Sequence, residues 1–145
     1  MICDALNTFA DGVSVAAAAG TALIGDVIDT GSAHRDMGAS TFASGLYLVI
    51  TTSTEIITGG VAGTIKFQLV SDAQAAIATD GSASVHFDTG TFVTDDSAAN
   101  SAELNAGGKI ACIALPLEGR VYERYLGILA VVATTTVTAG ANNAF

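Results

Sequence analysis

Residues 64 to 71, TIKFQLVS, alternate strictly: Ile65, Phe67 and Leu69 fall on one side and Thr64, Lys66 and Gln68 on the other. A period of two belongs to a β-strand with one face on a core and the other in water. SASVHFDT (82 to 89) repeats the pattern, with Ala83, Val85 and Phe87 opposing Ser84, His86 and Asp88, which predicts His86 on the wet face. Six further runs read as strands: VSVAAA (13 to 18), TALIGDVID (21 to 29), LYLVITTS (46 to 53), GTFVT (90 to 94), KIACIALPL (109 to 117) and VYERYLGILAVVATTTV (121 to 137). GGVAG (59 to 63) marks a hairpin turn. DAQAAIATDG (72 to 81) predicts one helical turn with Asp72 as its N-cap.

Segments 30 to 45 and 95 to 108 are the two long connections, residues 1 to 12 form an N-terminal arm, and TAGANNAF closes the chain. These elements predict a single domain over residues 1 to 145. Its class is all-β: a jelly-roll-like two-sheet β-sandwich of about eight antiparallel strands with an extended N-terminal arm.

The last run is apolar on both faces from Leu126 onward. Leu126, Ile128, Ala130 and Val132 share one side; Gly127, Leu129, Val131 and Ala133 share the other. A sandwich offers a core to only one face of a strand, so the second needs a cover: a loop, the N-terminal arm or a neighbouring subunit. On the subunit reading, Leu129 and Val131 make the contact, and Arg120 and Arg124 pair with acids at its rim. The apolar stretch LGILAVVA is far shorter than the roughly 20 residues of a membrane-spanning helix, so no membrane partner is expected.

Charge narrows the partners further. Fourteen acids against five bases give a formal net charge of -9. Nucleic-acid binding rests on clustered Lys and Arg that displace counterions, so it is not expected. Charged residues reach only 13%, against about 25% in ordinary domains, which leaves a surface mostly of Ser, Thr, Ala and Gly. Cys3 and Cys112 stand far apart without a C-x-x-C and read as two buried thiols.

Candidate chemistry is sparse. His34-Arg35-Asp36 lacks the other parts of a kinase signature and reads as an Arg–Asp pair pinning a loop. GGVAGT has no GK[ST] and no helix after it, so it is no phosphate loop. Only His34 and His86 could serve as the base of a hydrolase. The pairs Asp95-Asp96 and Asp26 with Asp29 read as solvated charges rather than a glycosidase pair. The acidic loop DDSAANSAELN lacks the spacing of a calcium loop. The expectation is a non-enzymatic chain with no cofactor, no metal site and no catalytic residue.

Several segments, in order, carry a resemblance: M-I-x-D with Asp4, IDTGSAHRDMGAS (28 to 40), LYLVI (46 to 50), Ser71-Asp72, LPLEGRVYERYLGILAVV (115 to 132) and TAG (138 to 140). Over nearly the whole chain the sequence resembles the capsid cement, or decoration, proteins of short-tailed bacteriophages. The resemblance implies a jelly-roll subunit on the outer surface of an icosahedral virion. Its partners would be the major capsid protein and itself, as a homo-oligomer with a dimer favoured and a trimer as the other option. The implied work is to strengthen the shell against packaged DNA. Asp4, Asp29, Arg35, Asp36, Arg120, Arg124, Tyr125, Leu129, Val131 and Phe145 are then interface or fold-determining residues. The alternative is a β-sandwich module of a virion fibre or adhesin that binds carbohydrate or a cell surface.

Overall fold

The computed structural model describes residues 7–31, 33, 46–97, 99–115 and 121–145. Among these, nine strands build two antiparallel sheets. β1 (Ala10–Ser14), β3 (Tyr47–Thr58), β7 (Lys109–Ala114) and β9 (Val137–Ala144) form the first, in the order β1-β9-β3-β7. β2 (Gly20–Asp29), β4 (Gly63–Asp72), β5 (Ser84–Asp88) and β8 (Tyr125–Ala133) form the second, in the order β2-β8-β4-β5, with the short β6 (Phe92–Thr94) also on β4. β5 and β6 lie end to end along one edge of β4: Gln68 to Ser71 pair with β5, and Gly63 to Ile65 pair with β6. Counted as one interrupted strand, they complete two four-position sheets between which the chain passes back and forth, the double Greek key of a jelly roll.

The inward faces meet as the alternation predicted. Ile65, Phe67 and Leu69 of β4, Ile128, Ala130 and Val132 of β8, and Leu48, Ile50 and Ile56 of β3 lie within one buried cluster. β8 sits at the centre of its sheet, in unbroken register with β4 from Thr64 opposite Ala133 to Asp72 opposite Tyr125. On its other side it pairs with β2.

The second apolar face of β8 is covered by the chain itself. Leu129 is 3% exposed, in a separate cluster with Val70, Ile77 and Ala83, against which Leu23, Val27 and Ala78 also pack. Ile77, Ala78 and Ala83 belong to the β4–β5 connection, which folds down over the outside of the sheet. Gly127 permits that approach: a Cβ there would stand 2.5 Å from Ile77 Cδ1 and 2.9 Å from Leu23 Cδ1. The connection holds no helix; the Asp72 carboxylate orders it by accepting the N–H groups of Gln74 and Ala78, each at 3.0 Å. The expected helical turn is thus replaced by an Asp-anchored loop, and a 3₁₀ turn falls at Ala102–Leu104 instead.

Four further expectations are corrected. The run 121 to 137 is not one strand: β8 occupies only Tyr125–Ala133, and Thr134 (φ 77°) lies in the turn that carries the chain to the other sheet, where β9 begins at Val137. GGVAG is not a hairpin turn, because β3 and β4 belong to different sheets and the segment carries the chain from one to the other. The closing residues 138–144, with Val137, form β9 between β1 and β3. The arm becomes strand at Ala10, three residues before the expected start. Phe9 and Ala10 are buried in the main core, and the Phe9 carbonyl accepts the N–H of Asp26 at 2.6 Å. Gly25 makes room for that crossing, with φ +64° at a register shift in β2; a Cβ would collide with the Phe9 carbonyl.

Candidate functional site

One end of the sandwich gathers four of the side chains singled out by the sequence, Asp29, Arg124, Tyr125 and Phe145. There β2 ends beside the start of β8, with Asp29 opposite Tyr125, while β3 begins beside the end of β7, with Tyr47 opposite Ala114. Arg124 Nε and Nη2 donate to Asp29 Oδ1 and Oδ2, both at 2.8 Å, a two-pronged pair that suits the planar guanidinium. The Thr30 N–H and hydroxyl donate to the Arg124 carbonyl at 2.9 and 2.7 Å, and the Gly31 N–H donates to Asp29 Oδ1 at 2.8 Å. The Arg124 guanidinium, helped by the Gly31 N–H, holds the Asp29 carboxyl down at about 2. Asp29 in turn raises Arg124 above its ordinary value. The guanidinium also lies 5.0 Å from the centre of the Tyr125 ring, within cation–π range. Both charged side chains are close to half exposed, so the clamp fixes geometry more than it adds stability.

Beside the clamp lies a cleft of about 240 Å³, walled by Phe9, Ile28, Leu46, Tyr47, Leu115 and Phe145. Phe145 exchanges backbone hydrogen bonds with Val49, at 3.1 and 2.8 Å, which pins the last residue into the sheet as one wall. Tyr47 is 61% exposed and Leu46 49%. The cleft offers apolar walls to an entering side chain, and Asp29, Thr30 and Asn7 give it a polar rim.

A second group at the same end links buried and part-buried polar atoms. Ser71 is fully buried, and its hydroxyl accepts the N–H of Glu123 at 2.9 Å and is hydrogen-bonded to His86 Nε2 at 2.7 Å. Ser84 donates to Glu123 Oε1 at 2.8 Å. The His86 and Tyr122 rings stack at 3.8 Å, and burial pushes the Tyr122 phenol above its ordinary value. His86 is therefore half-buried rather than on the wet face. The register slips between Leu69–Phe87 and Val70–Val85, so His86 is an extra residue that flips the alternation; Val85 turns outward, 43% exposed. A serine beside a histidine suggests a hydrolase pair. This hydroxyl, however, is closed off from solvent and already accepts an amide, so what the group does is tie the start of β8 to β4 and β5.

The remaining predicted residues scatter. Leu129 is core under the β4–β5 loop and Val131 is partly covered, so Leu129 is not an open contact. Cys112 is exposed, free, and on β7, which corrects the reading of a buried thiol. Asp96 accepts the Gly60 N–H at 3.2 Å and steadies the β3–β4 connection that crosses between the sheets. Asp4, Arg35, Asp36 and Arg120, with Cys3 and His34, lie outside the described residues. Among the described residues no three His, Cys, Asp or Glu side chains converge as a metal site. The sequence reading missed the cleft, the exposed Tyr47 and the Ser71 group. LYLVI held the only signal for the cleft, as an apolar run that starts one residue before its strand.

A family model described as Bbp16 matches residues 9–145. No curated protein matches the chain.

Proposed function

The chain belongs to the Bbp16 family, and from that premise we propose that it is a structural cement protein of a virion. On this reading it sits on the outer surface of an icosahedral capsid, binds the major capsid protein, associates with itself, and stiffens the shell against packaged DNA. It carries out no catalysis and needs no cofactor for that work. One observation carries the reading: the jelly-roll strand order, the subunit fold that the resemblance to cement proteins leads one to expect, brings the matched positions Asp29, Gly31, Arg124 and Tyr125 together at one end. A rigid end with an apolar cleft beside it suits docking on another protein, where anchors in pockets contribute most of the affinity.

Cryo-electron microscopy of the source particle tests this. The chain is expected on the outer shell in an icosahedral copy number, and shells that lack it should rupture at lower temperature. Density at a tail tip or inside the shell would overturn the proposal. A second reading, a carbohydrate- or cell-surface-binding module, draws on Tyr47 standing exposed at the cleft mouth, since a sugar can stack on such a ring. Saturable glycan binding that is lost in Tyr47→Ala, with no attachment to shells, would favour it.

A further inference from the structure

We propose that the outer edge of β7 pairs with a second copy of this chain, β7 against β7 in antiparallel fashion, joining two four-stranded sheets across a two-fold axis. This deepens the self-association in the reading above, and it rests on that reading for its purpose, although the contact itself belongs to the isolated chain.

β7 is an edge strand of the first sheet. The Leu115 N–H donates to the Leu46 carbonyl at 2.9 Å, in line with the register that runs from Tyr47–Ala114 to Ile50–Ala111. Antiparallel alternation then turns the backbone groups of Ala111, Ile113 and Leu115 toward β3 and those of Cys112 and Ala114 away from it. Among the described residues, no hydrogen bond is made to those outward groups. Such an edge is a template for a further strand unless charge, proline or a bulge guards it.

The other edges are guarded. β1 carries Asp11 and a register shift; β2 carries Asp26, Asp29 and the shift at Gly25. The β5–β6 edge is interrupted and carries Asp88. β7 has its own register shift, between Lys109 and Ala111, and its one charged residue, Lys109, both at its start; from Ala111 to Ala114 it is regular and uncharged.

Charge selects the occupant. In a two-fold contact each edge meets its own copy. For a chain of net charge -9, the acid-bearing edges would set carboxylate against carboxylate, whereas β7 sets none. The adjoining surface is apolar as well: Tyr47 stands opposite Ala114 and is 61% exposed, with Leu46 beside it at 49%. The two exposed Cys112 thiols would lie on one face of the joined sheet, within reach of each other.

The test is sedimentation velocity on the full reduced chain over a concentration series. Variants are Cys112→Asp, Ala114→Pro and, as a control at an exposed position of β3 away from the edge, Ser53→Asp. Circular dichroism confirms the fold of each. Wild type is expected to dimerise, the two edge variants to weaken the dimer about tenfold or more, and the control to leave it unchanged. In a Cys3→Ser background, a short bis-maleimide should link two chains through Cys112. A wild-type monomer at the highest concentration, or a dimer indifferent to both edge variants, would overturn the proposal. So would a monomer whose Cys112 and Ala114 amides gain exchange protection only on a shell, because a foreign strand would then occupy the edge. A dimer through β7 that never attaches to shells would leave this contact standing and remove the cement reading instead.

Discussion

Truncating Leu129 to alanine separates a core residue from a contact residue. Leu129 is 3% exposed beneath Ile77, Ala78 and Ala83, so the change removes three carbon groups from an enclosed site. At about 0.8 kcal/mol per group the transfer term is about 2.4 kcal/mol. A rigid surround would add a cavity term at about 24 cal/mol per Å³, but the β4–β5 loop is a surface segment that can settle inward and recover part of it. The expected loss is about 2.5–4 kcal/mol, or about 8–14 °C in melting temperature for a domain near this size. Urea and thermal unfolding followed by circular dichroism measure it, at several concentrations so that association is held apart from folding. Leu129→Asp should fail to fold stably, because the carboxylate would be buried without a partner. A loss under about 0.5 kcal/mol in Leu129→Ala, with association weakened instead, would refute the burial argument and return this face to a subunit contact.

Gly25→Ala should cost about 3 kcal/mol or more, since it adds a Cβ against the Phe9 carbonyl at φ +64°; a change within about 0.5 kcal/mol by urea unfolding would show that the Phe9 crossing is not fixed. Ser71→Ala strands the part-buried Glu123 N–H and removes the His86 bond, and should cost about 1–3 kcal/mol while raising amide exchange at Glu123; an unchanged exchange rate would count against the link. Asp29, held at about 2 against an ordinary 3.8, favours the folded state above pH 4 and loses that contribution as pH falls toward 2. The melting-temperature gap between wild type and Asp29→Asn should therefore close over that window, and a constant gap would show that the Arg124 pair is not its source.

Much of the fold was legible because a half-buried strand writes its geometry into a period of two. β4 is the clear case, with Ile65, Phe67 and Leu69 inward, and the two-sided run from Leu126 marked a strand that needed covers on both faces. β9 was hidden: Asn142 is fully buried among small residues, so its run carries no apolar alternation, and only pairing with both β1 and β3 makes it a strand. Likewise, nothing local announces the turn at Thr134 that carries the chain to the other sheet.

The candidate end divides in the same way. Asp29, Arg124 and Tyr125 stood out in the sequence, but Asp29 and Arg124 are 95 residues apart, and the register of β2 on β8 is what makes them a pair. The wet-face placement of His86 failed because one extra residue reverses every side chain beyond it, and a bulge is a property of two strands in register. By itself, then, the sequence determined the strand class, the acidic and weakly charged surface, and the surplus apolar face of β8. Tertiary structure decided what covers that face, which edge is left unguarded, and which distant residues meet, because each depends on contacts between segments that local patterning does not encode.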